Sequence, residues 1–109
     1  MNIQLNYIDN STNNYHSNQI NNSLNLKVGN YINFNNDMID YGIIIINKAY
    51  SFMNDANARA KYISESFDSK YPKKRKWSCF ISPFGGGACL YSDFSIYYFT
   101  KKEGILIFC

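Results

Sequence analysis

The sequence predicts an α+β protein: two helices packed on an antiparallel sheet, in the order β-α-α-β-β-β-β. Three observations carry this expectation. Ala56, Ala60, Ile63, Phe67 and Tyr71 recur at helical spacing, with charged residues between them, and Pro72 stops the pattern. From Trp77 onward the chain breaks into short runs rich in Tyr, Phe and Ile, separated by turn residues, as strands do. A length of 109 residues suits one domain with a single modest core.

Composition divides the chain near residue 26. Of the 16 Asn residues, 13 lie in the first 36 positions, a stretch with Asp9 as its one acid and Lys27 as its one base. Such polar sequence buries too little apolar surface to offset the entropy of ordering it. Residues 1–25 are therefore expected to be a disordered or weakly ordered extension, and residues 26–109 the folded domain. His16, the only histidine, falls in the extension, where a solvated side chain is expected rather than a ligand or a base.

Val28 to Phe34 alternates apolar and polar side chains towards its end, as a half-buried strand does. Asn35, Asn36 and Asp37 follow as a helix N-cap and first turn. Met38, Tyr41, Ile45, Ala49, Phe52 and Met53 then fit one helical face. Yet Ile43 to Ile46 is a β-branched run that suits a buried strand equally well, and local reasoning leaves the two readings open. Asn54-Asp55 reads as a break and a second N-cap. Strands are expected over Trp77 to Ile81, Phe84 to Tyr91, Phe94 to Thr100 and Ile105 to Cys109, with a hairpin turn at Lys101 to Gly104.

Several patterns exclude chemistry. No apolar run approaches the roughly 20 residues of a membrane span, and no basic-then-apolar leader opens the chain. Cys79, Cys89 and Cys109 have neither disulfide-framework nor zinc-ligand spacing, so a reduced intracellular protein without a metal or cofactor is expected. A nucleophilic thiol needs a nearby base, and the one His lies in the extension, so structural cysteines are expected. Gly85-Gly86-Gly87 lacks the Lys-Ser or Lys-Thr and the helix start of a phosphate loop. Lys73-Lys74-Arg75-Lys76 reads first as a solvated loop. It has the form of a nuclear-import signal or a nucleic-acid patch, and would also suit an acidic partner, but four charges give only salt-sensitive nucleic-acid binding.

Five short stretches, in order and at near-constant spacing, make the chain resemble the LC8-type dynein light chains. Ser66-Phe67-Asp68-Ser69-Lys70-Tyr71 is similar to the family's E-F-D-x-K-Y helix end. Trp77-Ser78-Cys79 is similar to its W-H-C strand start, and Phe84-Gly85-Gly86 to its F-G-S edge strand. Ser95-Ile96-Tyr97-Tyr98-Phe99 and Gly104-Ile105-Leu106-Ile107-Phe108 resemble its last hairpin. The resemblance runs from about Val28 to Cys109. It aligns Asn36 to Met53 with the family's first helix, which makes the Ile run helical.

The resemblance implies a non-enzymatic, strand-exchanged homodimer that is a light chain of a dynein motor, cytoplasmic and microtubule-associated. Disordered client segments, the dynein intermediate chain among them, would enter two grooves as added antiparallel strands. Carried over by position, the groove comprises Phe84, Gly85, Gly86, Gly87, Ala88, Cys89 and Leu90, floored by Tyr97 and Phe99, with Asn57 at one end. The subunit interface comprises Trp77, Ser78, Cys79, Gly87 and Cys89, with Trp77 also read as core. Ala56 and Asn57 replace the family's client-binding Glu and Lys, and Ser78 replaces its titratable interface His. Gly86-Gly87-Ala88-Cys89 replaces Ser-Tyr-Val-Thr on the edge strand, removing pocket walls. A divergent adaptor that acts through the 73–76 loop is the alternative reading. Neither membrane nor nucleic acid is an expected partner.

Overall fold

The computed structural model describes residues 20–83 and 92–109. The expected strand over 84–91, most of the expected groove with it, and residues 1–19 lie outside the described residues. Within them the order is β1 (Lys27–Ile32), α1 (Asn36–Phe52), α2 (Ala56–Lys70), β2 (Ser78–Ser82), β3 (Ser95–Phe99) and β4 (Gly104–Phe108). The strands form one antiparallel sheet in the order β1-β3-β4-β2. The α+β class expected from the sequence is what the chain adopts.

Both helices begin where a short polar side chain satisfies an orphan backbone donor. Asn35 Oδ1 accepts from Met38 N at 2.9 Å, and Asp55 Oδ2 accepts from Ala58 N at 2.9 Å. Asp37 adds negative charge at the positive end of α1. The isoleucine run is helical: Ile43, Ile45 and Ile46 are buried, whereas Ile44 is 40% exposed. A helical period explains that pattern, because positions 39, 42, 43 and 46 share one face. α2 ends at Tyr71, whose N–H reaches Phe67 O at 2.8 Å, and Pro72 prevents a further turn.

The core lies between the helices and one face of the sheet. Ile39, Ile43 and Ile46 of α1, Ile63 and Phe67 of α2, Ile96 and Tyr98 of β3, and Ile105 and Ile107 of β4 form its centre. An aromatic group extends it, with Trp77 5.0 Å from Phe67 and 5.8 Å from Phe34 and from Phe94, between ring centroids. Trp77 is only 3% exposed, and its two donors are satisfied: Nε1 by Tyr71 O at 2.7 Å, the backbone N by Asp68 Oδ1 at 2.8 Å. These bonds fold the 72–77 loop back against the end of α2.

Residues 20–25 behave differently from the extension that composition suggests. Ile20 and Leu24 pack against the core, and Leu26 is buried. Asn22 Oδ1 accepts from Leu26 N at 3.0 Å and from Asn47 Nδ2 at 3.1 Å, while Asn47 Oδ1 accepts from Leu24 N at 2.9 Å. Asn25 and Asn33 adopt φ of 56° and 61°, the left-handed region that asparagine tolerates better than most residues. The Asn content of this stretch is thus turn and bridging chemistry.

Candidate strand-addition surface of the sheet

Alternation along each strand sorts the sheet into two faces. Cys79 and Ile81, Ile96 and Tyr98, Ile105 and Ile107, and Val28 point to the helices. The opposite face carries three cross-strand rows set by the register. Phe80, Leu106 and Tyr97 form the central row; Ser82, Gly104 and Phe99 form one flank; Ser78, Phe108, Ser95 and Ile32 form the other. Phe80 is 54% exposed and Ile32 is 51% exposed. Tyr97 and Phe99 stack at 5.7 Å with only 9° between their rings.

That stack needs the shape of β1. Four residues of β1, Val28 to Tyr31, lie opposite three of β3, Ile96 to Tyr98, a bulge that places Gly29 beside the stack. A Cβ at Gly29 would lie 2.6 Å from Phe99 Cε2 and 3.2 Å from Tyr97 Cβ, so a side chain there would displace the Phe99 ring.

β2 pairs with β4 and, among the described residues, with nothing on its other side. An unpaired edge next to exposed Phe80 offers backbone donors and acceptors together with an apolar contact for an added strand. Exposed Phe52 ends α1. α2 packs on β2, and its first two residues, Ala56 and Asn57, are exposed.

A second cluster braces this end of the molecule. Tyr50 Oη donates to Glu103 Oε1, and the Arg59 guanidinium lies 4.0 Å above the Tyr50 ring. Arg59 Nε also donates to Met53 O at 2.9 Å. The set ties the end of α1, the start of α2 and the β3–β4 hairpin. Burial, then donation to Glu103, pushes the Tyr50 phenol above its ordinary pKa, so it stays a neutral donor. Nothing local in the sequence reveals this cluster, since Tyr50 and Glu103 are 53 residues apart.

The residues expected at a site separate accordingly. Tyr97, Phe99 and Ser78 share the face away from the helices, while Trp77 and Cys79 lie in the domain's own core. The sequence reading missed Phe80, although its place two residues from Ser78 was a usable signal. Gly87, Cys89 and the other residues of 84–90 lie outside the described residues.

Cys79 is a poor nucleophile, because burial pushes its thiol up to about 12. Among the described residues no cluster of His, Cys, Asp and Glu is arranged to hold a metal, and no helix is long and apolar enough to cross a membrane. No protein-family model matches this sequence, and no curated protein matches it significantly.

Proposed function

We propose that the chain is a non-catalytic binding module of the dynein light-chain kind. Two copies associate through the sheet face away from the helices, which leaves the β2 edge to the client. Each dimer takes up disordered client segments by strand addition, and linked sites favour clients that are themselves paired. On this reading the protein serves a cytoplasmic, microtubule-based motor, with the dynein intermediate chain as its first client. The observation that supports the reading is the β2 edge, unpaired among the described residues, beside the exposed Phe80. The order of motifs from Ser66 to Phe108 supplies the choice of family.

Titration of the full chain with a fluorescent intermediate-chain peptide carrying a Thr-Gln-Thr core tests the proposal. Saturable binding near 1 µM, roughly −8 kcal/mol, is expected, with the peptide amides protected from exchange as a paired strand's are. Absence of saturation overturns the motor assignment.

A further inference from the structure

The loop that follows α2 does more than return the chain to the sheet. Lys73, Lys74 and Arg75 form one wall of a cleft of about 390 Å³, and Asp93, Phe94 and Cys109 form the other. That volume lies in the range of small-ligand pockets. We propose that this cleft binds an acidic peptide segment, whose carboxylates meet Lys73, Lys74 and Arg75 and whose apolar atoms lie on Phe94. The proposal does not depend on strand addition at the β2 edge.

Three features distinguish the cleft from a merely solvated basic loop. The first is its charge. Three cations face one acidic side chain, Asp93, and none of the three is in an ion pair among the described residues. Asp68, the other nearby acid, accepts the Trp77 backbone N–H. Residues 84–91 carry no charge, and residues 1–19 carry only Asp9. The 73–76 run holds four positive charges, more than the whole chain's net of +3. Cations held close together without counter-charges raise the local potential and favour an anionic partner.

The second feature is order. The loop is fixed at its C-terminal end by both Trp77 donors, and the Cys109 thiol donates to Arg75 O at 3.2 Å. The facing wall is fixed by Asp93 N and Phe94 N donating to Cys109 O at 3.0 and 3.2 Å, and by Cys109 N donating to Phe94 O at 3.0 Å. A loop already ordered loses less entropy on binding. The third feature is the mixed chemistry of the walls. Lys73 Nζ sits 4.3 Å from the centroid of the half-buried Phe94 ring, which presents apolar surface beside the charges.

A peptide suits this arrangement better than a nucleic acid. Of the 11 Lys and Arg residues, four lie in the 73–76 run, with Lys70 just before it at the end of α2, while Lys27, Lys101 and Lys102 lie at the opposite, hairpin end of β3 and β4. Lys61 pairs with Glu65 at 4.0 Å. Asp93 lines the cleft with the three cations and would repel a phosphate backbone laid along it.

The test is fluorescence anisotropy of the full chain with a labelled, N-acetylated hexaglutamate peptide at low salt. Saturable binding is expected, weakening as salt rises. The Lys74→Gln/Arg75→Gln variant should bind at least about tenfold more weakly, consistent with the loss of two charge-assisted contacts. Lys101→Gln/Lys102→Gln removes the same charge at the far end and should bind within about twofold of the parent, since screened charges more than a Debye length away contribute little. Circular dichroism of both variants should match the parent, because the loop's bonds use the Arg75 backbone and not its side chain. Lack of saturation, equal loss in the two variants, or tighter binding of a uridine hexanucleotide through the same residues would overturn the proposal.

Discussion

The Tyr98 hydroxyl donates a 2.7 Å hydrogen bond to the carbonyl oxygen of Ile39, passing over Gly42 to reach it. A Cβ at Gly42 would lie 2.0 Å from that hydroxyl oxygen and 2.6 Å from Cζ of the ring. The contact joins the centre of α1 to the central strand β3 at a fully buried phenol. Gly42 is therefore a packing residue in the middle of a helix, where glycine normally costs about 1 kcal/mol relative to alanine.

Replacing Gly42 separates the two effects. At an exposed helical position Gly42→Ala would stabilise by about 1 kcal/mol. Here the methyl must displace Tyr98, and overpacking of a filled core costs about 1–3 kcal/mol. A net loss of stability is expected, measured as a lower urea midpoint with an unchanged slope. An unchanged or higher midpoint would mean that α1 and β3 are not in register as described.

Phe80 and Phe67 should respond in opposite ways. Phe67→Ala empties the core between the helices and should cost about 3–5 kcal/mol in denaturant unfolding. Phe80 is 54% exposed, so Phe80→Glu should change the stability of a single chain by about 0.5 kcal/mol or less. Its effect should fall on self-association, read by sedimentation velocity as a shift towards the single-chain species.

Ala56 and Asn57 stand at the exposed start of α2, where the resembling family carries charged client contacts. Introducing Ala56→Glu and Asn57→Lys should strengthen binding of the intermediate-chain peptide. A charge-assisted hydrogen bond contributes about 1.5–3 kcal/mol, so isothermal titration should show at least about a tenfold gain. Equal affinity in parent and variant would place the client elsewhere.

The Cys79 thiol gives stability a definite pH dependence. Burial raises its folded pKa from 9.0 to about 12, so the folded state resists losing a proton that the unfolded chain releases more readily. The thiol's contribution is complete below pH 9 and is lost as pH rises through that window towards 12. Urea midpoints taken at pH 7, 9 and 10, in steps chosen about the ordinary thiol pKa, should therefore fall with rising pH. Cys79→Ala should flatten the fall between the last two points. The raised phenols of Tyr41, Tyr50 and Tyr71 act in the same direction only at higher pH.

Much of the fold was legible because its signals are local. Asn35 and Asp55 mark both helix starts, Pro72 marks an end, and the amphipathic spacing from Ala56 to Tyr71 describes a half-buried helix. The isoleucine run was ambiguous for a physical reason: α1 is buried over much of its circumference, and Ile43, Ile45 and Ile46 break the polar spacing that would announce a helix. Asn-rich composition obscured the anchoring of residues 20–25, because the Asn22–Asn47 bridge joins positions 25 residues apart. The candidate surface was half legible. Tyr97, Phe99 and Ser78 lie on the face expected, while Phe80 emerged only from the register of β2 against β4.

Light scattering of the full chain at pH 7 and again at pH 5 tests whether two copies associate. A mass twice that of one chain is expected at both values, because Ser78, exposed on the face away from the helices, does not titrate in the range where histidine does. A single-chain mass at pH 7 would contradict association through the Phe80 row.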